Sequence, residues 1–510
     1  MRLLKQTRSL CPECLRVIDA QVYEEGGVVY ISKRCPEHGE FEDVYWSSYE
    51  EYVRALKFEH IGDGLANPRT VRSKGCPYDC GICNEHKSFT VLAIIDVTNR
   101  CNLKCPVCFA NAGATGYVYE PSTEEVKRII DNFRSNEPAK PPGLEPAKPP
   151  GLQFSGGEPT VRDDLPELIE YAHKAGFHHV EVNTNGIRLA QSLDYCRELA
   201  EAGANAIYLQ FDGVTSDVYV KTRGVDLWEV KKKVIENCRK IGFDAVVLVP
   251  TLIRGVNDHQ VGDIIKFAAK NADVVRCVNF QPVSICGRID RSQLRQMRIT
   301  IPDLMRLAEE QTEGQIKVSD WYPVSFVVPI PRAIGALKEH RYGAEFTAHP
   351  HCGMATYIFV EEGGRIVPIT RKADVEGFME KMEEAYELAR QGRKLRAKIK
   401  MLSAALRHVK WGLLRRLIIP ILKTGTYESL REFHFKTILV STMHFMDAYN
   451  FDLDRVQRCI IHYGLPDGRI IPFCSMNTIH RPMVERQFAM SWEEFNRRME
   501  EARRRGLKHY

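Results

Sequence analysis

The stretch "DVTNRCNLKCPVCFANAG", residues 96–113, begins at the end of the apolar run "FTVLAIIDV" and carries three cysteines, Cys101, Cys105 and Cys108. Three thiolates so close together on one loop can hold three irons of a four-iron cluster and leave the fourth iron without a protein ligand. A zinc site is the alternative, but structural zinc normally takes four protein ligands. The stretch therefore predicts an iron–sulfur cluster on the loop that leaves a buried strand.

Bulk composition narrows the class of protein. The chain has 510 residues, 44% of them hydrophobic and 27% charged, which is typical of a globular protein with about two to four domains. A net charge of +5, from 71 basic and 66 acidic residues, is too small to predict a nucleic-acid partner. No apolar run approaches the roughly 20 residues that span a bilayer, and the N-terminus turns polar too early for a secretory signal. We therefore expect a cytoplasmic protein, in which sixteen cysteines indicate metal binding and not disulfides.

Apolar strands and amphipathic helices alternate from Phe89 onward. The predicted strands are "TVLAIIDV", "LQFSGG", "HHVEVNTNG", "AIYLQFDG", "AVVLVPTLI" and "VVRCVNFQPV". The predicted helices between them cover residues 123–135, 163–175, 190–202, 226–241 and 260–271. Strand–helix units in series predict a parallel α/β sheet whose working residues lie on the loops after the strand C-termini.

Changes in composition predict four regions. Residues 1–85 contain only short strand-like runs and form a metal-binding N-terminal module, too poor in apolar runs to be stable through its core alone. The barrel covers residues 86–300, a helical and basic substrate-binding region covers 301–445, and a C-terminal auxiliary cluster module covers 446–510. In that last module, "GLPDGR" between two apolar runs predicts a hairpin.

The octapeptide "EPAKPPGL" occurs twice in succession, in residues 137–152. Its prolines exclude a helix and predict a polyproline-like surface spacer. A tandem duplication tolerated in a loop explains the repeat more simply than a function does.

The second predicted strand ends in "FSGGEPT", which places Ser155, Gly156, Gly157 and Glu158 at its carboxyl end. Adjacent glycines let a ligand approach the backbone. Together with the three-cysteine loop, this turn resembles the radical S-adenosylmethionine (SAM) superfamily. The resemblance implies a partial (βα)6 TIM-like barrel with a cysteine-rich N-terminal module and a C-terminal cluster-binding module. It also implies that SAM binds the open iron, that the glycine turn helps hold its amino group, and that one-electron reduction releases a 5′-deoxyadenosyl radical.

Polar residues at the ends of two further strands fall where the superfamily places SAM contacts. They are Asn183 and Asn185 in "VNTNG", and Gln210 and Asp212 in "LQFDG". Each of them could instead cap the helix that follows. The sequence departs from many members at Val107, where they have an aromatic residue before the third cysteine.

The remaining cysteines suggest further metal centres. Near the N-terminus, Cys11, Cys14, Cys35 and His38 form a Cys-x2-Cys and a Cys-x2-His pair, which fit one tetrahedral zinc or iron ion. Two other cysteines lie inside predicted helices and are expected to be packing residues, Cys196 and Cys238. Eight remain for two auxiliary [4Fe-4S] clusters: Cys76, Cys80, Cys83, Cys277, Cys286, Cys352, Cys459 and Cys474. Cys352 and the hairpin cysteines Cys459 and Cys474 are plausible partners, and Cys277 or Cys286 could complete either cluster. The grouping stays open, and Cys277, within a strand, is also compatible with a structural role.

Residues 390–423 contain eleven lysines or arginines and no acid. Apolar residues recur there at helical spacing, namely Leu402, Leu406, Val409, Leu413 and Leu417. With Trp411 among the cations, this pattern predicts a helix that contacts anionic lipid headgroups, and Pro420 is expected to end or kink it. A core-packed helix with a solvated basic face is the alternative. Nucleic acid is disfavoured, because the run contains only one aromatic residue for stacking on bases.

The order of motifs over most of the chain suggests a narrower group. The motifs are "TRSLCPECLRVIDA", "KRCPEHGEFEDVYW", "CPYDCGICNEH", "CNLKCPVCFANAG", "QFSGGEPTVRDDL" and "HYGLPDGRIIPFC". They resemble the archaeal tetraether lipid synthases, which join isoprenoid chains of diether lipids. That resemblance implies an isoprenoid lipid substrate, auxiliary clusters, a mononuclear iron in the N-terminal module, and an electron donor such as ferredoxin or flavodoxin.

Related sequences are also interpreted as radical SAM methylases of a pterin precursor, and this is the alternative function. A chain-coupling enzyme needs a long apolar tunnel, which apolar residues of 401–446 could line, whereas a pterin methylase needs a compact polar pocket with a planar stacking wall. An electron-transfer or zinc-ribbon binding protein would explain the cysteines but leave the glycine turn unexplained.

Overall fold

The N-terminal residues form an antiparallel sheet of four strands. The structure, a computed structural model, describes residues 1–137, 149–339, 344–410 and 437–510. The first elements are β1 (Arg2–Leu10), β2 (Val17–Glu25), β3 (Val28–Cys35), β4 (Gly39–Trp46) and α1 (Tyr49–Leu56). These strands are longer than the short runs predicted. Four fully buried residues of this sheet belong to one core with the barrel, namely Val22, Val29, Ile31 and Trp46. The apolar surface that the N-terminal module lacks on its own therefore comes from the rest of the chain.

A curved sheet, most of it parallel, forms the centre of the molecule. The strands of the predicted barrel are β5 (Leu92–Thr98), β6 (Gly151–Gly156), β7 (His179–Thr184), β8 (Ala206–Gln210), β9 (Val246–Val249), β10 (Thr251–Leu252) and β11 (Val275–Pro282). Later strands extend both edges of the sheet, namely β12 (Tyr322–Pro323), β13 (Gly353–Val360), β14 (Ile366–Pro368), β15 (Ile438–Met443), β16 (Ile461–Gly464) and β17 (Ile470–Pro472). In the described part of the chain the spatial order is β12-β13-β15-β11-β9-β8-β7-β6-β5-β16-β17, with β10 beside β11 and β14 beside β13. Pro250 separates β9 from β10 because proline has no N–H for the ladder, so one predicted strand is two.

Helices follow these strands and cover the sheet. They are α2 (Thr123–Arg134), α3 (Leu165–Lys174), α4 (Ile187–Gln191), α5 (Leu193–Glu201), α6 (Ser216–Arg223), α7 (Trp228–Ile241) and α8 (Val261–Lys270). Ser122 and Glu125 form a capping box at the start of α2, and Gly242 ends α7 with a φ of 71°. The predicted helices are present, except that Ser192 divides one of them by capping α5. The expected α/β half-barrel is confirmed.

The remaining elements extend the same sheet and add a helical layer. They are α9 (Leu294–Met297), α10 (Ile301–Gln311), β12 (Tyr322–Pro323), α11 (Pro329–Lys338), β13 (Gly353–Val360), β14 (Ile366–Pro368), α12 (Val375–Arg390), α13 (Lys394–His408), β15 (Ile438–Met443), α14 (Leu453–Val456), β16 (Ile461–Gly464), β17 (Ile470–Pro472), α15 (Phe473–Ser475), α16 (Arg481–Gln487) and α17 (Trp492–Arg504). Strand β15 pairs with β11 and β16 pairs with β5, both parallel. One sheet therefore crosses the domain borders predicted near residues 300 and 445.

The predicted hairpin is present, since β16 and β17 pair antiparallel. Most of the octapeptide repeat lies outside the described residues, as do Trp411, Leu413, Leu417 and Pro420. Across the described ranges, each helix is too short or too polar to cross a bilayer.

A buried arginine joins three distant parts of the chain. Arg298 precedes α10 and has 3% of its side chain exposed. Its Nη2 lies 2.6 Å from Asp43 Oδ2 on β4, and its Nη1 lies 2.8 Å from Asp447 Oδ2, which follows β15. Burial raises the pKa of Asp43. Burial also favours a higher pKa for Asp447, but the charge of Arg298 has the larger effect and lowers the pKa of this carboxyl.

Replacing Arg298 by methionine should lower the free energy of unfolding by about 3–5 kcal/mol, because two buried carboxylates lose their cation. Chemical denaturation, or the thermal midpoint if unfolding is irreversible, measures the change. Arg34→Met is the control, since Arg34 and Glu40 are both 80% exposed and their pair should contribute less than about 1 kcal/mol. Equal effects of the two substitutions would contradict this role of Arg298.

Candidate active site

A cavity of about 1560 Å³, counting its opening to solvent, lies at the carboxyl ends of the parallel strands. Its wall includes Ser155 and Gly156 of β6, Asn183 of β7, Gln210 of β8 and Gln281 of β11. The three cysteines of residues 101–108 line the same space. The parallel topology predicts this location.

Two arginines that sequence reasoning missed hold the cysteine loop. Arg223, at the end of α6, donates from Nη1 to the carbonyl of Val107 at 3.1 Å. Arg288 donates from Nε to the carbonyl of Cys105 at 2.6 Å, and its own backbone pairs with that of Cys108. Both arginines line the cavity. They fix the loop through its carbonyl groups and leave the sulfur atoms facing the cavity for a ligand.

The electrostatics of the thiols fit a metal cluster. Burial raises the pKa of Cys101 to about 12. Burial also raises the pKa of Cys105, although the charge of Arg223 opposes the shift. Such thiols stay protonated near neutral pH unless a cation binds their sulfur atoms. The donor set therefore fits three ligands of an iron–sulfur cluster.

The glycine turn contacts the cysteine loop backbone to backbone. Gly156 has a φ of +125°, and a Cβ there would lie 2.1 Å from the carbonyl oxygen of Thr98. A Cβ on Gly157 would lie 2.3 Å from the carbonyl oxygen of Arg100. The backbone N–H of Gly157 donates to Thr98 at 2.7 Å, and that of Glu158 donates to Arg100 at 2.9 Å. The expected close approach is present, but the partner is the protein's own loop.

Glu158 connects the glycine turn to the end of β7. This residue is 1% exposed, and its Oε1 accepts from the hydroxyl of Thr184 at 2.7 Å while its Oε2 accepts from the backbone N–H of Asn185 at 2.7 Å. The side-chain amide of Asn185 donates to Asn102 in the cysteine loop at 2.7 Å, and its Oδ1 accepts from the N–H of Ile187 at 3.0 Å. Asn185 thus forms an Asx turn just before α4, whose N-cap residue is Gly186, and it also lines the cavity.

One predicted SAM contact lies behind the cavity wall. Asp212 is 0% exposed and pairs with Arg223, whose Nε is 2.5 Å from Asp212 Oδ2. Burial opposes the charge of Asp212, but Arg223 outweighs burial and lowers its pKa. The lining residue on this strand is Gln210. Asp212 therefore orients Arg223, and its role as a SAM contact stays a prediction.

A buried lysine holds two of the predicted SAM contacts. Lys231 on α7 is 0% exposed, and its Nζ donates to the carbonyl of Asn185 at 2.6 Å and to Gln210 Oε1 at 2.9 Å. Burial lowers the pKa of Lys231 to about 7. A signal was available in the sequence, since Lys231 shares helical spacing with the buried residues Leu227, Val234 and Cys238.

The N-terminal residues Cys11, Cys14, Cys35 and His38 form a tetrahedral donor set. Their ligand atoms lie within 4.8 Å of one another. The Sγ atom of Cys35 is 3.4 Å from His38 Nδ1 and 4.0 Å from Cys14 Sγ. Tetrahedral zinc with Zn–S bonds of about 2.3 Å requires sulfur atoms about 3.8 Å apart. The hydrogen bond with His38 lowers the pKa of Cys35 to about 6, as a ligand thiolate requires.

Six of the eight other candidate ligands form two groups of three. In the first group the neighbouring thiol of Cys76 and then burial raise the pKa of Cys80. The members of this group line one small cavity, and they are Cys76, Cys80 and Cys83. In the second group, burial and then the neighbouring thiolates raise the pKa of Cys474. That group consists of Cys352, Cys459 and Cys474.

Cys277 and Cys286 lie outside these two groups of three. Cys277 lies on β11 with its sulfur 3.7 Å from the hydroxyl of Ser441. Cys286 lies in the cavity wall near Ser284 and Thr478. That either cysteine completes an auxiliary cluster stays a prediction.

The two helical cysteines are packing residues, as expected. Cys196 in α5 is 4% exposed, and Cys238 in α7 is 1% exposed. Both belong to the main hydrophobic core.

Comparison with known proteins agrees with this architecture. Residues 95–268 match the family described as "Radical SAM superfamily", and residues 3–47 match the "HMPTM N-terminal zinc ribbon domain". The half-barrel and its cavity lie within the first match, and the tetrahedral donor set lies within the second. The protein is a radical SAM enzyme.

A relative in Methanocaldococcus jannaschii, "7,8-dihydro-6-hydroxymethylpterin dimethyltransferase", is 50% identical over 504 residues, 97% of each chain. This chain belongs to the family of that protein. A "Probable GTP 3',8-cyclase" of Methanothermobacter thermautotrophicus is 28% identical over 38% of this chain and 58% of its own. The crystal structure of Streptococcus suis SuiB bound to precursor peptide SuiA covers 45% of this chain and 46% of its own, at 17% identity and a TM-score of 0.34. The comparisons give no support to the resemblance to tetraether lipid synthases.

Lys231→Met should weaken SAM binding by about tenfold, because the carbonyl of Asn185 and the side chain of Gln210 lose a buried donor. Equilibrium binding of SAM to the reconstituted enzyme measures this effect, with iron content as a check on the cluster. Lys232→Met is the matched control, since its ammonium is 43% exposed and pairs with Glu229 at the surface. Unchanged SAM affinity in Lys231→Met would remove this role of the lysine.

The same variant gives a pH test. The folded protein releases the Lys231 proton at a pKa of about 7, whereas the unfolded chain keeps it until about 10.4. The unfolded state therefore binds more protons in this window, so the stability of the wild type relative to Lys231→Met should rise with pH from about 7, by at most about 1.4 kcal/mol per unit. A difference that is flat or falls with pH would contradict the assignment.

The N-terminal donor set should retain one zinc or iron ion in the purified protein. Cys14→Ser should lose that ion, because a tetrahedral structural site needs all four donors. Elemental analysis of the two proteins measures the difference. Cys238→Ser, which changes a packing cysteine, is the control and should keep the wild-type metal content.

Proposed function

We propose that the protein is a radical SAM methyltransferase that acts on a pterin precursor. The observation that carries this proposal is the identity of 50% over 97% of the chain with a relative named as a pterin dimethyltransferase. The match covers 97% of each chain, so it extends beyond the barrel to both terminal regions.

The residues that would hold the cofactors are Cys101, Cys105 and Cys108 for a [4Fe-4S] cluster and the polar strand ends for SAM. When bound, these groups supply a carbon radical that opens C–H bonds no general base can deprotonate. On the SAM side the chain offers Ser155, whose hydroxyl accepts from Asn183 Nδ2 at 3.2 Å. Such preformed hydrogen bonds orient a polar ligand at low cost in entropy.

Four aromatic side chains form a wall of the same cavity. The rings of Phe445 and Phe473 stack with centroids 3.9 Å apart and planes at 24°. Tyr463 and Phe109 lie 5.4 Å and 5.8 Å from the Phe473 ring. All four residues line the cavity. A flat heteroaromatic ring stacks favourably on such a wall, which supports a pterin as substrate.

A hydrogen-bonded network of polar side chains adjoins the aromatic residues. Asn477, in a π-helical turn at Met476–His480, lines the cavity, and its Oδ1 accepts from Arg481 Nε at 2.9 Å. The guanidinium of Arg481 lies 5.3 Å from the ring centre of Tyr463 and pairs with Asp96 at 2.6 Å. This network fixes the amide of Asn477, whose Nδ2 also donates to the carbonyl of Phe473 at 3.0 Å and to the hydroxyl of Tyr463 at 3.5 Å.

Auxiliary centres and an electron donor belong to the same proposal. The two groups of three thiols would hold two auxiliary [4Fe-4S] clusters, and the N-terminal donor set would hold one zinc or iron ion. An electron donor such as ferredoxin or flavodoxin would supply the reducing electron.

The apolar half of the cavity favours a second candidate function, the coupling of isoprenoid chains of archaeal diether lipids. Leu92, Ile94, Met443, Met446 and Ile461 line that half. An isoprenoid chain would bury apolar surface against these side chains. Because this candidate rests on the lining alone, it ranks second.

A direct substrate comparison decides between the two candidates. The anaerobically reconstituted enzyme, with SAM and a strong reductant, is given either the hydroxymethyl dihydropterin or an archaeal diether lipid. We expect 5′-deoxyadenosine and a methylated pterin, detected by mass spectrometry, with the lipid unchanged. Cys105→Ala, which removes one cluster ligand, should form no 5′-deoxyadenosine in either reaction. Coupled lipid chains with unchanged pterin would overturn the first proposal in favour of the second.

A further inference from the structure

Helix α13 turns its largest apolar side chains toward solvent. Four of them form one stripe, at successive intervals of four, three and four residues. They are Leu395, Ile399, Leu402 and Leu406, with exposed fractions of 73%, 60%, 53% and 54%. This spacing places all four on one face of a helix. The stripe extends along the whole helix.

The opposite face of α13 packs in the protein with smaller side chains. Ala397, Met401, Ala404 and Ala405 are buried in a cluster with α12 and α11. The usual arrangement of a surface helix is therefore inverted, since the side chains with the most apolar area are outside. A contiguous exposed apolar stripe of this kind marks an interaction surface.

The stripe is bordered by positive charge. Helix α13 carries Lys394, Arg396, Lys398, Lys400 and Arg407 and no acidic residue. Lys394 pairs with Glu339, and Lys400 pairs with Glu384. The other three are exposed and form no ion pair in the described ranges of the chain. Three free cations thus lie beside four exposed apolar side chains.

We propose that this face of α13 docks on an anionic lipid surface, with the apolar stripe inserted among the acyl chains and the basic side chains at the phosphate level. Insertion removes the apolar stripe from water, and the lipid headgroups neutralise Arg396, Lys398 and Arg407. An anionic lipid surface therefore accounts for both the exposed apolar side chains and the unpaired cations. A second copy of the chain would cover the stripe but bring like charges together. A nucleic acid would neutralise the charges but leave the stripe exposed to water.

Vesicle binding by the intact holoenzyme tests the proposal. The protein is sedimented with vesicles of phosphatidylglycerol mixed with phosphatidylcholine, or of phosphatidylcholine alone. We expect binding only to the anionic vesicles, and binding should weaken as salt is raised. The double variant Leu402→Gln/Leu406→Gln keeps helix propensity and should bind at least about tenfold more weakly. Lys398→Gln should weaken binding about fivefold.

The control is Leu507→Gln, which removes a leucine that is 51% exposed after α17 and should bind vesicles like the wild type. SAM cleavage should be equal in all these variants, because none of the changed residues lines the cavity. Failure of the wild type to bind anionic vesicles, or equal binding by the double variant, would overturn the proposal. A dimer in light scattering that the double variant abolishes would assign the stripe to a second copy instead. None of these outcomes depends on which substrate the enzyme methylates or couples.

Discussion

The site depends on a contact between two stretches of backbone that leaves no room for a side chain. Gly156 and Gly157 lie so close to the carbonyls of Thr98 and Arg100 that a Cβ on either would overlap an oxygen atom. Residue 98 ends β5 and residue 156 ends β6, so the contact joins adjacent strands where regular pairing stops. This contact therefore fixes the direction in which the cysteine loop leaves β5. The positions of the other site residues depend on that direction.

Buried charges then fix the loop from its other sides. Arg223 and Arg288 donate to loop carbonyls, while Glu158 holds the N–H of Asn185. Asp212 neutralises Arg223 without reaching the cavity. Each buried ion costs desolvation energy, and this cost is offset only when the loop has its observed shape. These buried ion pairs therefore select one conformation of the loop, and they contribute less to the stability of the fold.

The half-barrel was predictable because its strands and helices carry strong local patterns, and the three cysteines and the glycine turn were predictable because their spacing is short. Arg223, Arg288 and Lys231 were harder to find, since each reaches the site from a helix or loop distant in sequence. The ion pair between Asp212 and Arg223 was not predictable either, because sequence distance alone does not pair these two residues. The grouping of Cys76 with Cys80 was evident from spacing, whereas the approach of Cys352 to Cys459 and Cys474 depends on tertiary packing.

The pairing of β16 with β5 has a consequence for how the protein forms. These strands are neighbours in the sheet although Leu92 and Ile461 are far apart in the chain. During synthesis the outer edge of β5 has no partner until the ribosome has completed nearly the whole polypeptide. An unpaired edge of this kind is prone to association with other chains. The nascent enzyme therefore passes through a long interval in which its first barrel strand needs protection.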